Sequence, residues 1–407
     1  MPIEFRHRSL PNGLTVIAEI DAAAHSAAAG FFVRTGARDE PATLMGVSHF
    51  LEHMMFKGTG DLSADALNRA FDDLGARHNA YTSNEMTCFY AQVVPERLDD
   101  AESLLGRMMR PALRDDDFTT EKGVILEEIA MYKDNPFWVL YEECVDRYYA
   151  PHPLRHRVLG TPETITAMTV AQMRDYFDRR YSADNTTLAL AGCLDFDRCV
   201  DLAERLCGTW QRTGVMREPS PPRVNEGRFE MRDEKVNRAY LLGLSPGPGA
   251  QDDRKYAAMM AALVLGGPDN SRLHWSLIET GLAEEAQAAY DAHDGVGEFF
   301  VYASCDPERA DEVWETVERE CAELADSLTE DDLERLRNRL ATGVTLSGER
   351  PPDRMQRIGR LWTLTGRHRS LEDELDSIEH VTLEDLRMLL DAFPVRAVMA
   401  GRLLPTG

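Results

Sequence analysis

The stretch GVSHFLEHMMFKGTG, Gly46 to Gly60, places His49, Glu52 and His53 within a run that is otherwise apolar and helix-like. On an α-helix, residues three and four apart share a face, so the three side chains project together with the imidazoles one turn apart. Burying three titratable groups on such a helix without compensation costs several kcal/mol. Zinc favours imidazole nitrogen and carboxylate oxygen, and a catalytic zinc keeps three protein ligands plus one open position. His49 and His53 read as two of those ligands. Glu52 is better placed as the base that takes a proton from water acidified by the ion. Histidines four apart also occur on ordinary helices, so the reading needs a third ligand.

That ligand should be an acidic residue or histidine on another buried helix. TTEKGVILEEIAMYKDNP, Thr119 to Pro136, offers Glu121, Glu127 and Glu128. Glu121 and Glu128 are seven residues apart, two helical turns, and share a face. Glu127 points about 100° away from Glu128 and suits solvent better.

Composition bounds the rest. A chain of 407 residues with 43% apolar and 28% charged residues is globular and too long for one ordinary core. The net charge of −25 disfavours nucleic acid and anionic membrane as partners, both of which need basic patches. No apolar run reaches the ~20 residues that span a bilayer, and the N-terminal stretch lacks the apolar segment of a secretory signal. The seven cysteines are scattered, with no CxxC pairing, which fits a reducing compartment. A cytoplasmic protein is the expectation.

Along the chain, the Asn12-Gly13 turn leads into an alternating β run, and HNAYTSNEMTCFYAQVV, from His78, reads as a hairpin. RTGVMREPSPPRVNEGRFEMRDE, from Arg212, lacks apolar periodicity and reads as a linker over 212–232. After it the order of elements starts again at an offset of roughly 210 residues, the mark of an internal duplication. KYAAMMAALVLGG, from Lys255, then occupies the place of GVSHFLEHMMFKG, with apolar residues where the first copy carries His, Glu and His. The expected class is α+β, two homologous halves, each a β-sheet covered by helices on one side. The boundaries are a metal-binding half at 1–211, a linker at 212–232 and a metal-free half at 233–407.

His49-Phe-Leu-Glu52-His53, followed about 75 residues later by EKGVILEEI, resembles the pitrilysin family of zinc peptidases, the inverzincins. LPNGLTV, NAYTSNEMTCFY, HPLRHRVLGTPETI and NTTLALAG resemble the same family, in the small-chain branch that includes mitochondrial processing peptidase subunits and bacterial relatives. The resemblance implies that His49, His53 and Glu128 bind one Zn²⁺, that Glu52 is the general base, and that Glu121 orients a ligand histidine. It implies peptide substrates that add to the strand around Asn79 and Ala80 by β-augmentation, inside a clamshell around a closed chamber. It also implies pairing, as a homodimer first and otherwise as a heterodimer with a homologous chain.

One region departs from the pattern. Active members carry an Arg and a Tyr seven residues apart in the second half, which hold substrate and its developing oxyanion. Here SRLHWSLIETGLAEEAQAAY, from Ser271, puts Glu284 where the Tyr is expected and Leu277 or Ile278 near the Arg position. A carboxylate opposes a developing oxyanion. Arg272, His274 or Tyr290 is the candidate substitute, unless a partner chain supplies the donors, and Glu284 with Glu285 is a candidate site for a basic group on the substrate. The rival to an enzyme is a non-catalytic assembly subunit of the same family.

Overall fold

The computed structural model describes residues 3–217 and 222–406. Two compact units emerge, and neither is continuous in sequence. The first comprises residues 1–129, 156–218 and 345–369, and the second residues 130–155, 219–344 and 370–407. The expected cut at the linker is therefore corrected, because each half of the chain lends a segment to the other unit. The middle of the expected linker, 218–221, lies outside the described residues.

The first unit holds six strands: β1 Glu4–Ser9, β2 Thr15–Ile20, β3 Ala27–Val33, β4 Arg77–Thr82, β5 Thr87–Val93 and β6 Thr186–Gly192. They lie in the order β1-β2-β6-β3-β5-β4, which puts β4 at an edge. The second unit holds β7 Gly227–Asp233, β8 Ala239–Gly247, β9 Glu285–His293, β10 Val296–Cys305 and β11 Met399–Pro405, in the order β7-β11-β8-β10-β9. Apart from β1 the two sheets match strand for strand. β2 runs parallel to β6 as β7 does to β11, while β6 and β11 pair antiparallel with β3 and β8. Both hairpin-exit strands, β5 and β10, are followed by the same Pro-Glu-Arg turn and then a helix. β7 corrects the linker reading: its inward Phe229 and Met231 alternate with exposed charged residues, a period of two hidden in a mostly polar sequence.

The core of the first unit lies between one sheet face (Phe31, Phe89, Leu188) and the helices that include Val47–Met55 and Leu98–Met108. The other face is covered as well, contrary to the one-sided expectation. Helix Pro351–Thr365 lays Met355 and Ile358 on Phe32, Met86 and Cys88. The second sheet is treated alike: helix Pro136–Tyr149 sets Leu140, Cys144 and Tyr148 against Leu242, Leu244 and Leu403. These covering helices are the exchanged segments.

Candidate metal centre

The helix Val47–Met55 carries the motif, and its start is fixed by two features. Gly46 has φ +92°, and a Cβ there would lie 2.6 Å from the Leu159 carbonyl oxygen, so the position takes glycine. The buried Glu40 carboxylate accepts from the Gly46 amide at 2.6 Å and the Ser48 amide at 2.7 Å. It thereby satisfies donors that a helix N-terminus leaves open. Burial pushes its pKa up to about 8, against those hydrogen bonds. Sequence reasoning missed Glu40, which sits six residues before Gly46, outside the spacing of a capping box.

His49 and His53 project from this helix with ring centroids 4.7 Å apart. Helix Asp115–Lys133 brings Glu128 to them: its Oε2 lies 3.7 Å from His49 Nε2 and 3.6 Å from His53 Nε2. One ligand atom from each of the three residues lies within 4.8 Å of the others. Separations of this size exceed a normal hydrogen bond but match two ligands of one ion, since a tetrahedron with bonds of about 2.1 Å has edges of about 3.4 Å. His49 Nδ1 is buried with no hydrogen-bond partner. The ring thus has no good polar contact at either nitrogen until a cation sits at Nε2. Burial, and then the neighbouring His53, lower the His49 pKa to about 4, so the imidazole is neutral as a ligand must be. The donor set fits zinc.

Glu121, two turns before Glu128, sits behind His53, with Oε2 3.1 Å from Nδ1. A carboxylate there fixes the tautomer that presents Nε2 forward. Its other oxygen pairs with Lys57 at 2.5 Å, a residue from the quoted stretch that the sequence reading passed over. Glu127 is exposed on the same helix.

Glu52 is partly buried, and burial raises its pKa, opposed chiefly by a 2.7 Å hydrogen bond from the Thr82 hydroxyl. Thr82 ends β4, so the edge strand and the motif helix meet at this carboxylate. Asn79 and Ala80 lie on β4, with no strand paired beyond them among the described residues. His78 stacks on Phe71 at 4.2 Å.

Arg272, Glu284 and Tyr290 belong to the second unit, and each is engaged locally. Arg272 pairs with Glu320 at 2.8 Å and donates to Ser327. Glu284 pairs with Arg238 at 2.5 Å. The Tyr290 hydroxyl donates to the Pro248 carbonyl at 2.6 Å.

Comparison with known proteins accords with this geometry. A family model for insulinase (peptidase family M16) matches residues 15–162, and one for the peptidase M16 inactive domain matches residues 167–340. An uncharacterized zinc protease of Mycobacterium tuberculosis is 34% identical over 99% of this chain and 93% of its own length. Another from Bacillus subtilis is 30% identical over 92% of this chain and 91% of its own. A protease from Helicobacter pylori shares the fold with a TM-score of 0.91 at 18% identity, covering 99% of this chain and all of the other. A peptidase M16 inactive domain from Pseudomonas fluorescens does so with a TM-score of 0.92 at 18% identity, covering 100% and 98%.

Proposed function

The chain belongs to the M16 peptidase family, pitrilysin-type in its motif, and on that premise we propose that it is a zinc-dependent endopeptidase acting on peptides or small unfolded polypeptides. The observation that carries this reading is the convergence of His49, His53 and Glu128, with Glu52 projecting beside them from the motif helix. Bound there, zinc supplies a Lewis acid for the scissile carbonyl and acidifies water. Glu52 would take a proton from the attacking water at its carboxylate and pass it to the leaving amine. Its environment supports the second duty, since burial favours the protonated carboxyl while Thr82 holds Oε2 in place. The unpaired edge of β4 receives the substrate backbone as an added strand, with Asn79 and Ala80 on it. Glu121 holds His53.

The same reading encloses the substrate in a chamber and pairs the chain, as a homodimer or with a homologous chain, in the cytoplasm. The seven unpaired thiols support a reducing compartment. A second reading is favoured by one observation: Arg272, Glu284 and Tyr290 are all engaged within their own unit. A subunit whose partner supplies the oxyanion donors would look like this. Zinc content, size-exclusion mass and peptide cleavage measured on one peak test both. One zinc per chain with cleavage abolished by Glu52→Gln is the expected result. Zinc bound without Glu52-dependent cleavage would overturn the enzyme reading for the chain acting alone.

A further inference from the structure

β4 has two faces, and only one of them meets the motif helix. Side chains alternate along a strand, so Thr82, Ala80 and His78 lie towards the motif helix, where Thr82 meets Glu52 and His78 meets Phe71. Tyr81, Asn79 and Arg77 lie on the opposite face. The covering helix Pro351–Thr365 reaches this face: the Tyr81 hydroxyl donates to Gln356 Oε1 at 2.9 Å, and Gln356 also contacts the Cys88 thiol on β5. Arg360 follows Gln356 by one helical turn and shares its face. It is exposed, yet its charge is close enough to act on both Tyr81 and Cys88.

The other ionic side chains of that helix are occupied. Arg354 pairs with Asp21 at 3.1 Å, Arg357 with Glu19 at 2.5 Å, and Asp353 with Arg350 at 2.6 Å. Arg360 and Arg77 alone on this face have neither an ion pair nor a hydrogen bond among the described residues. Their cross-strand neighbours on β5, Cys88, Tyr90 and Gln92, are neutral. In a chain of net charge −25 this is a cationic strip without its counter-charge.

A peptide added to the free edge of β4 would alternate in the same way. Its residues that point away from the motif helix come over Tyr81 and Arg360 near the Glu52 end, and over Arg77 about 13 Å further along at ~3.3 Å per residue. We infer that this face of the β4 edge is a specificity subsite in which Arg360, aided by Arg77, selects acidic side chains at alternate positions of the bound peptide. The inference rests on the strand-addition reading given above.

The test is binding of labelled peptides to the full chain carrying Glu52→Gln, followed by fluorescence anisotropy. Peptide pairs differ by Glu or Lys at one position, scanned along the sequence. Exposed charge pairs predict a preference for Glu of about two- to fivefold, at every second position, shrinking at high salt. Arg360→Gln should bring the ratio at the affected position near one, and Arg360→Glu should invert it. An unchanged ratio in both variants, or a preference without alternation, would overturn the proposal. Binding with the alternating preference but no cleavage by the unsubstituted chain would sink the peptidase reading and leave this one standing. Cleavage indifferent to these charges would do the reverse.

Discussion

The two sheets are built alike, and the helices laid beside their edge strands are not. In the first unit, Val47–Met55 carries His49, Glu52 and His53, and Glu52 reaches Thr82 at the end of β4. In the second, Lys255–Gly266 buries Ala258, Met260, Ala261 and Leu265. It approaches β9 so closely that a Cβ on Gly266 would lie 2.1 Å from the Ala288 amide nitrogen. One copy spends its helix–strand contact on the polar groups of the candidate metal centre, and the other on dry packing. The shared topology therefore supplies a platform, and the chemistry depends on which residues occupy the motif helix and on Glu128 being brought to meet them.

Substitutions can break this contrast from either side. The largest effect expected is from Glu52→Gln, which should lower kcat/KM on a peptide by about 10²–10⁴-fold while zinc content stays at one per chain. Next is the converse change in the second copy. Ala261→Glu puts an unpaired carboxyl into a fully buried position and should destabilise the protein by about 3 kcal/mol or more, with no gain of metal. Chemical denaturation and zinc analysis read both parts.

A third prediction concerns buried carboxylates in general. In the second unit Glu298 is held by the Tyr149 hydroxyl and by His293 at 3.1 Å. In the first, Glu102 is fully buried with the Cys199 thiol as a weak donor beside it, and burial pushes its pKa up to about 8. The folded state holds its proton more tightly than the unfolded chain, whose value is 4.5. Glu102 therefore costs nothing below about pH 4.5 and removes stability as pH rises to about 8. Glu102→Gln should match the parent near pH 4.5 and exceed it by about 4 kcal/mol at pH 8, measured by denaturant titration at each pH. The smallest of these effects is Glu121→Gln, expected to weaken zinc binding by about 10–100-fold while Glu128 remains in place.

Much of the site was legible because helical periodicity fixes which residues share a face. His49, Glu52 and His53 needed only the 3.6-residue repeat, and Glu121 with Glu128 needed it twice. The duplication was legible for a similar reason, since apolar strands and turns recur in order. Thr82, Lys57 and Glu40 were not legible, because each acts through a fold-back of the chain that no local period encodes. The exchanged helices escaped for the same cause. Nothing in the sequence of helix Pro351–Thr365 names as its partner a sheet whose Phe32, Met86 and Cys88 lie more than 260 residues earlier. β7 was hidden by its charged alternation.

That exchange has a consequence for how the protein is made. The first sheet's Phe32–Met86–Cys88 face is closed by Met355 and Ile358, which a ribosome delivers more than 260 residues after Cys88. N-terminal regions ordinarily fold first during synthesis, yet this unit must wait with an apolar sheet face bare. A product truncated at the linker would carry every residue of the metal centre on an uncovered, aggregation-prone sheet. Delivery of helix Pro351–Thr365 thus acts as a timer, leaving the first unit unfinished until that distant segment has been translated.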